Sequence, residues 1–445
     1  MNEIKDWLDK HGISEVECIV PDMAGTPRGK IMPAAKFAEE QGMRLPEDAL
    51  LQSVTGDYIS DEREVLDPAD IDIVLRPDVK TLRLMPWAAE PTGQVIHDSF
   101  YKDGSAVEMA PRYVLRRILK LYEEAGWSPV VAPELEFYLV KQNPDPDYPL
   151  EPPVGRSGRF ESARQAYSID ALAEFDPFVD EVYDYCEDQG LAIDTLIHES
   201  GPAQMEINLM HGEPLELADQ AFLFKRTVRE VALRHKMFAT FMAKPMEHQP
   251  GSSMHIHQSI LDSTTGSNIF NKPDGEPSDL FFHYIGGLQK YLPAALAILA
   301  PYVNSYRRAA RYQAAPINLK WGYDNRTTGL RVPIGETEAR RVENRLAGAD
   351  ANPYLAIAVS LACGYLGMTE QVSATEPLKG SAYELEFELP RTLAEALGLL
   401  NDSEPLSGVL GSRFIAAYTA IKEIENEAFM SVISSWEREY LLWNV

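Results

Sequence analysis

The stretch that decides the fold is APELEFYLV, residues 132–140. Its charged residues, Glu134 and Glu136, stand two apart and alternate with Leu135 and Phe137. A strand turns successive side chains to opposite faces, so this pattern predicts a β-strand with both carboxylates on one side and a hydrophobic core on the other. Working outward, three more segments repeat the spacing. AQMEINL carries Glu206 and Asn208, GSSMHIHQS carries His255 and His257, and RRVENR carries Glu343 and Arg345. Met205 and Ile207, and likewise Met254 and Ile256, are the apolar alternates that would face the core. Any one such pair reads most simply as the wet side of an antiparallel strand. Four pairs rich in Glu and His suggest neighbouring strands that share one functional face, which Glu199 could join from the segment before Glu206.

Crowded carboxylates repel unless cations neutralise them. Oxygen ligands with one or two imidazoles favour Mg²⁺ or Mn²⁺ over Zn²⁺. His198-Glu199 has no second histidine four residues after the first, so a zinc-protease motif is excluded. A second constellation is cationic: Arg307, Arg308, Arg311, Arg326, Arg331, Arg340, Arg341 and Arg345 fall within forty residues of a strongly acidic chain. Guanidinium forks bind carboxylate and phosphate in two-pronged fashion, although any single Arg could equally pair with a surface Glu. A carboxylate-held metal beside an arginine field suits phosphoryl transfer.

The remainder of the chain frames this site. Its 445 residues carry 41 Lys and Arg against 68 Asp and Glu, a formal charge of −27. That balance argues against a nucleic-acid backbone and against an anionic membrane as partner. Three dispersed cysteines (Cys18, Cys186, Cys363) form no CxxC pair and read as reduced thiols in a cytoplasmic protein. The N-terminus has no signal-peptide pattern. The uncharged run Ala351–Thr369 contains Ser360 and Gly364 and lacks basic flanks, so it reads as a buried helix rather than a membrane span.

Short β-like runs (Glu15–Pro21, Asp72–Leu75, Gln94–Ile96) fill the first hundred residues. Helices are expected at Pro111–Ala125, Asp176–Gln189, Leu215–Phe241, Asp279–Ala300 and Asn352–Leu366. The P-loop-like Gly25-Thr-Pro-Arg-Gly29-Lys30 is one residue short and reads as a hairpin turn. Asn143–Arg159, with five prolines, reads as a loop. The class is α+β, with a boundary near residue 104.

Taken in order, PELEF, HESGPAQMEIN, GSSMHIHQS, NSYRR, DNRTTGLRVP and RRVENRLAGADANPYLA resemble the motifs of the glutamine synthetase family along most of the chain. The resemblance implies a small N-terminal β-grasp domain (1–104) and a larger α/β catalytic domain (105–445). It also implies a homo-oligomeric ring with active sites between subunits. Carried over residue by residue, one metal would be held by Glu136, Glu199 and Glu206 and a second by Glu134, His255 and Glu343, as Mg²⁺ or Mn²⁺, two or more per site. His257, Ser259, Arg326 and Arg331 would meet ATP. Gly251, Arg308 and Arg345 would hold glutamate, and Arg331 and Glu343 would act in catalysis.

The reaction so implied phosphorylates the γ-carboxylate of glutamate and joins it to an amine. Two acidic residues that family members use for ammonium are missing. Ala314 stands at one position, and Gln52 or Ser53 at the other. Losing them removes an attraction for NH₄⁺ and leaves space, so Ala314 marks the pocket of a larger amine. Putrescine or a related polyamine is the leading expectation, with Asp57, Tyr58 and Tyr312 as candidate contacts. A glutamine synthetase using ammonia and a catalytically silent ring protein are the alternatives. Pro250 replaces the Asn usual before Gly251, Glu338 stands where a nucleotide-contacting Lys is common, and the stretch around Tyr383 is too short for a modified loop.

Overall fold

The computed structural model describes residues 2–59, 65–66, 69–312 and 314–445. Two sheets organise them. The first contains β1 (Glu15–Pro21), β2 (Pro27–Pro33), β3 (Met43–Pro46), β4 (Asp72–Pro77), β5 (Arg83–Leu84) and β6 (Thr92–Phe100), in the order β2-β1-β6-β4-β3 with β5 on β6. Its central pair, β1 and β6, is parallel. The second contains β7 (Trp127–Lys141), β8 (Ile193–His198), β9 (Gln204–Leu209), β10 (Met237–Thr240), β11 (Met254–Asp262), β12 (Trp321–Tyr323), β13 (Leu330–Val332) and β14 (Val342–Asn344). Its order is β12-β13-β14-β11-β7-β9-β8, with β10 pairing β7.

All four sequence pairs fall in this second sheet, on adjacent strands or, for Arg345, one residue beyond β14. Leu135, Phe137, Met205, Ile207, Met254 and Ile256 are fully buried on the opposite face, as the alternation predicts. Helices Pro111–Glu124, Pro214–Arg234 and Pro353–Glu370 pack behind that face. The uncharged run lies in the last of these, whose residues are buried nearly throughout. Among the described residues no helix is long and apolar enough to cross a membrane.

Three sequence expectations need correction. The helix expected over Leu215–Phe241 ends at Arg234. Lys236 takes a left-handed φ of 59°, and Met237–Thr240 returns as an edge strand on β7. Its apolar residues fit a helix face and a strand equally, and the available sheet edge decides. The hairpin turn is real but lies at Asp22–Thr26, where Gly25 has φ 79°. Gly29 and Lys30 already belong to β2, and a Cβ at Gly29 would stand 1.9 Å from the Cys18 carbonyl oxygen. Finally, Asn2–His11 is a helix in a region that shows only strand-like runs by sequence.

Candidate active site

Antiparallel register brings the predicted side chains together. Glu134 lies opposite both His255 and Asn208, Glu136 opposite Glu206, and His257 opposite Glu343. Glu199 follows β8 at the same end. Three groupings could hold a cation: Glu136, Glu199 and Glu206; Glu134, Glu206 and His255; and Glu134, His257 and Glu343. The first is the trio expected for one metal. The expected second trio is also close, with His255 Nδ1 3.2 Å from Glu134 and 3.6 Å from Glu343. His257 sits nearer this centre than its expected nucleotide role suggests, donating from Nε2 to Glu134 at 2.8 Å. Arg341 Nε donates to its Nδ1 at 3.2 Å, which fixes that tautomer.

The electrostatics divide the face. Burial, then the charge of Glu199, pushes Glu136 up to about 8, against the Ser253 N–H and the positive field of Arg308 and Arg345. Glu206 is raised well above the carboxylate range by burial and by its acidic neighbours, and Glu199 is raised mainly by burial. Burial would raise Glu134 too, but hydrogen bonds from His255 and His257 hold it well below. Glu343 is likewise buried, yet Arg345 and the two imidazoles bring it down to about 2. Carboxylates forced toward protonation at one end, beside a buried His255 Nε2 with no partner among the described residues, are the chemistry of a divalent-cation site. The residues fit such ions.

The arginines form the rim. Arg308 Nη1 donates to Ser253 Oγ at 2.9 Å and Nη2 to the Leu346 carbonyl. Arg345 Nη1 donates to Glu343 at 2.6 Å, leaving its buried Nε without a partner among the described residues. Arg331 bridges Glu343 (2.8 Å) and Asp324. Arg326 is exposed, with its charge felt at Glu199. Gly251 packs directly beneath Arg308, where a Cβ would stand 2.4 Å from Arg308 Cγ.

Beside the carboxylates a cavity of 690 Å³ runs past His257, Ser259, Asn208, Glu338 and Arg341, large enough for a nucleotide. Ala314 is exposed with φ 59°. Tyr312 donates to Glu384 (2.7 Å) and its ring lies 5.4 Å from that of Tyr383, while Arg311 holds the Tyr383 and Leu385 carbonyls. Among the described residues, the loop bearing Gln52, Ser53 and Asp57 hydrogen-bonds to itself and to Glu425, not to Tyr312 or Ala314.

Two residues of the face escaped sequence reasoning. Gln204 Nε2 reaches Glu136 (3.4 Å) and the Gly251 carbonyl (2.9 Å), and Tyr138 Oη donates to the Pro250 carbonyl (2.8 Å). Both continue the two-residue period from Glu206 and Glu136, so the signal was present. Away from it, Glu161 accepts from His198 (3.0 Å) and from the Ala203 N–H (2.8 Å), tying a loop residue to the turn that carries Glu199.

The fold and this face define a class: an α/β protein whose clustered carboxylates and imidazoles could hold cations, with arginines beside them. The chain belongs to the glutamine synthetase family, whose catalytic-domain model matches residues 108–441. It is 35% identical to the gamma-glutamylputrescine synthetase PuuA of Escherichia coli, over 99% of this chain and 94% of that protein. It is 33% identical to the glutamate–isopropylamine ligase of a Pseudomonas species, over 98% and 96% respectively. The solved structure of GmaS in complex with ADP superimposes with a TM-score of 0.86 at 28% identity, covering 99% of this chain and all of that one.

Proposed function

We propose that this protein is an ATP-dependent ligase that joins the γ-carboxylate of glutamate to an amine larger than ammonia, with a polyamine such as putrescine as the leading acceptor. The observation that carries the reading is the acidic floor that could hold cations, taken with an alanine, Ala314, at the position expected to face the acceptor. Relatives named for putrescine and isopropylamine support it.

In the reaction, a γ-carboxylate oxygen of glutamate takes the terminal phosphoryl group of ATP and ADP leaves. The amine nitrogen then attacks the acyl carbon, phosphate departs and the nitrogen loses a proton. Glu136, Glu199 and Glu206 would hold one Mg²⁺ or Mn²⁺, and Glu134, His255 and Glu343 a second, with His257 close enough to contribute. Such ions supply neutralisation of phosphate charge. Arg308 and Arg345 would orient glutamate. Arg331, braced between Glu343 and Asp324, would face the charge that grows on the transferring group, with Arg326 beside it. His257 and Ser259 would border ATP in the cavity. Fixing all three substrates removes much of the entropic barrier.

The reading extends to a β-grasp N-terminal domain (1–104) and a catalytic domain (105–445), in keeping with the parallel β1–β6 pair at the centre of the first sheet. It also extends to a ring of identical subunits. Trp436, Leu442 and Trp443 are 61%, 70% and 88% exposed, an apolar C-terminal segment suited to a neighbouring copy. Buried, unpaired cysteines fit a cytoplasmic location.

The test is ATP- and Mg²⁺-dependent phosphate release with glutamate and a panel of ammonium, putrescine, longer polyamines, ethanolamine and aromatic amines. Turnover with putrescine or another large amine is expected. Turnover with ammonium alone would establish the glutamine synthetase alternative.

A further inference from the structure

The segment Pro250-Gly251-Ser252 lies between the metal face and Arg308, and its backbone groups are almost fully engaged. Pro250 has no N–H to offer. Its carbonyl accepts from Tyr138 Oη at 2.8 Å. The Gly251 carbonyl accepts from Gln204 Nε2 at 2.9 Å, and the Ser252 N–H donates to the Ala243 carbonyl at 2.9 Å. One donor is left, the Gly251 N–H, which has no acceptor among the described residues.

Tyr138 and Gln204 are directly paired across β7 and β9. Each stands two residues from a carboxylate of the face, Glu136 and Glu206, so the strand period turns both toward the site. A trans peptide is planar, with its C=O and N–H pointing in opposite directions. Holding the Pro250 carbonyl on Tyr138 therefore fixes where the Gly251 N–H points, which is away from Tyr138. The same glycine touches Arg308: a Cβ there would stand 2.4 Å from Arg308 Cγ and 2.5 Å from the Ala243 carbonyl oxygen. Space for the phenol is equally specific, because a Cβ at Gly201 would stand 2.0 Å from Tyr138 Oη.

We propose that Tyr138 is a positioning residue for the amino-acid substrate: its hydroxyl sets the Pro250–Gly251 peptide so that the Gly251 N–H, beside Arg308, donates to an anionic oxygen of that substrate. The inference rests on the reading that the enzyme takes glutamate. Pro250 can offer neither an N–H nor a polar side chain, so the orientation of the peptide must come from elsewhere, and Tyr138 provides it. Phenylalanine would fill the same space but leave the Pro250 carbonyl without its donor and the peptide free to turn.

Tyr138→Phe, made in the full-length protein, should raise the KM for glutamate about five- to tenfold, the scale of one hydrogen bond. The KM values for ATP and amine, and the Tm, should stay within about twofold and about two degrees of wild type. Calorimetric titration of glutamate into protein with Mg²⁺ and ADP should show the same loss of affinity without any turnover. If wild type binds glutamate and the variant binds it equally well, the role of Tyr138 is refuted while the ligase reading stands. Equal losses for glutamate, ATP and amine would also refute it, because a merely structural defect moves all three. If wild type binds no glutamate, both inferences fall.

Discussion

Glu136 concentrates the residue-scale argument. It is buried, pushed up to about 8 and placed opposite Glu206, so it is poorly accommodated without a cation. Glu136→Ala should lower turnover with every amine by about 10²–10³-fold or more, measured as phosphate release. Activity near wild type would refute the metal assignment. Ala314 is the complementary case, an exposed position without charge. Ala314→Glu restores a carboxylate there. It should shift the ratio of kcat/KM for ammonium over putrescine by about tenfold or more toward ammonium. An unchanged ratio would mean that this position does not face the acceptor.

At the scale of elements, one buried side chain ties the first sheet to two of the helices that pack behind the second. Arg112, on helix Pro111–Glu124 and 2% exposed, binds Asp98 at the end of β6, Asp78 just after β4 and Asp219 on helix Pro214–Arg234, each at 2.7 Å. Tyr354 completes the cluster by donating to Asp219 at 2.7 Å. Removing one partner from such a buried group leaves uncompensated charge. Arg112→Met should therefore cost about 3–5 kcal/mol, seen as a lower midpoint in urea unfolding. A midpoint within error of wild type would show that the three aspartates are satisfied without it. Element boundaries were also where sequence reading was weakest. The apolar pattern of Met237–Thr240 suits either structure, and only the open edge of β7 makes it a strand.

At the scale of the whole molecule, three buried glutamates tie stability to pH. Glu136, Glu199 and Glu206 have folded pKa values above the ordinary carboxylate range. Such groups favour the folded state when protonated, and that contribution is lost as pH rises through the folded values. With EDTA, the Tm should fall between about pH 5 and about pH 9. Excess Mg²⁺ should flatten the slope by binding the ionised carboxylates of the native state. Identical slopes with and without Mg²⁺, followed by thermal melts, would argue against a cation at this face.

The sequence by itself determined which residues share a face, because a strand's period of two is local: Glu134 with Glu136, His255 with His257. It also identified the arginine-rich stretch, where residue type alone sets the chemistry. Strand order and register belong to the tertiary structure, since pairings such as Glu136 with Glu206 join residues about seventy positions apart. The same pairing placed Tyr138 beside Gln204 and turned both onto the Pro250–Gly251 loop. No local pattern could supply that contact, because it depends on a loop brought back from more than a hundred residues away.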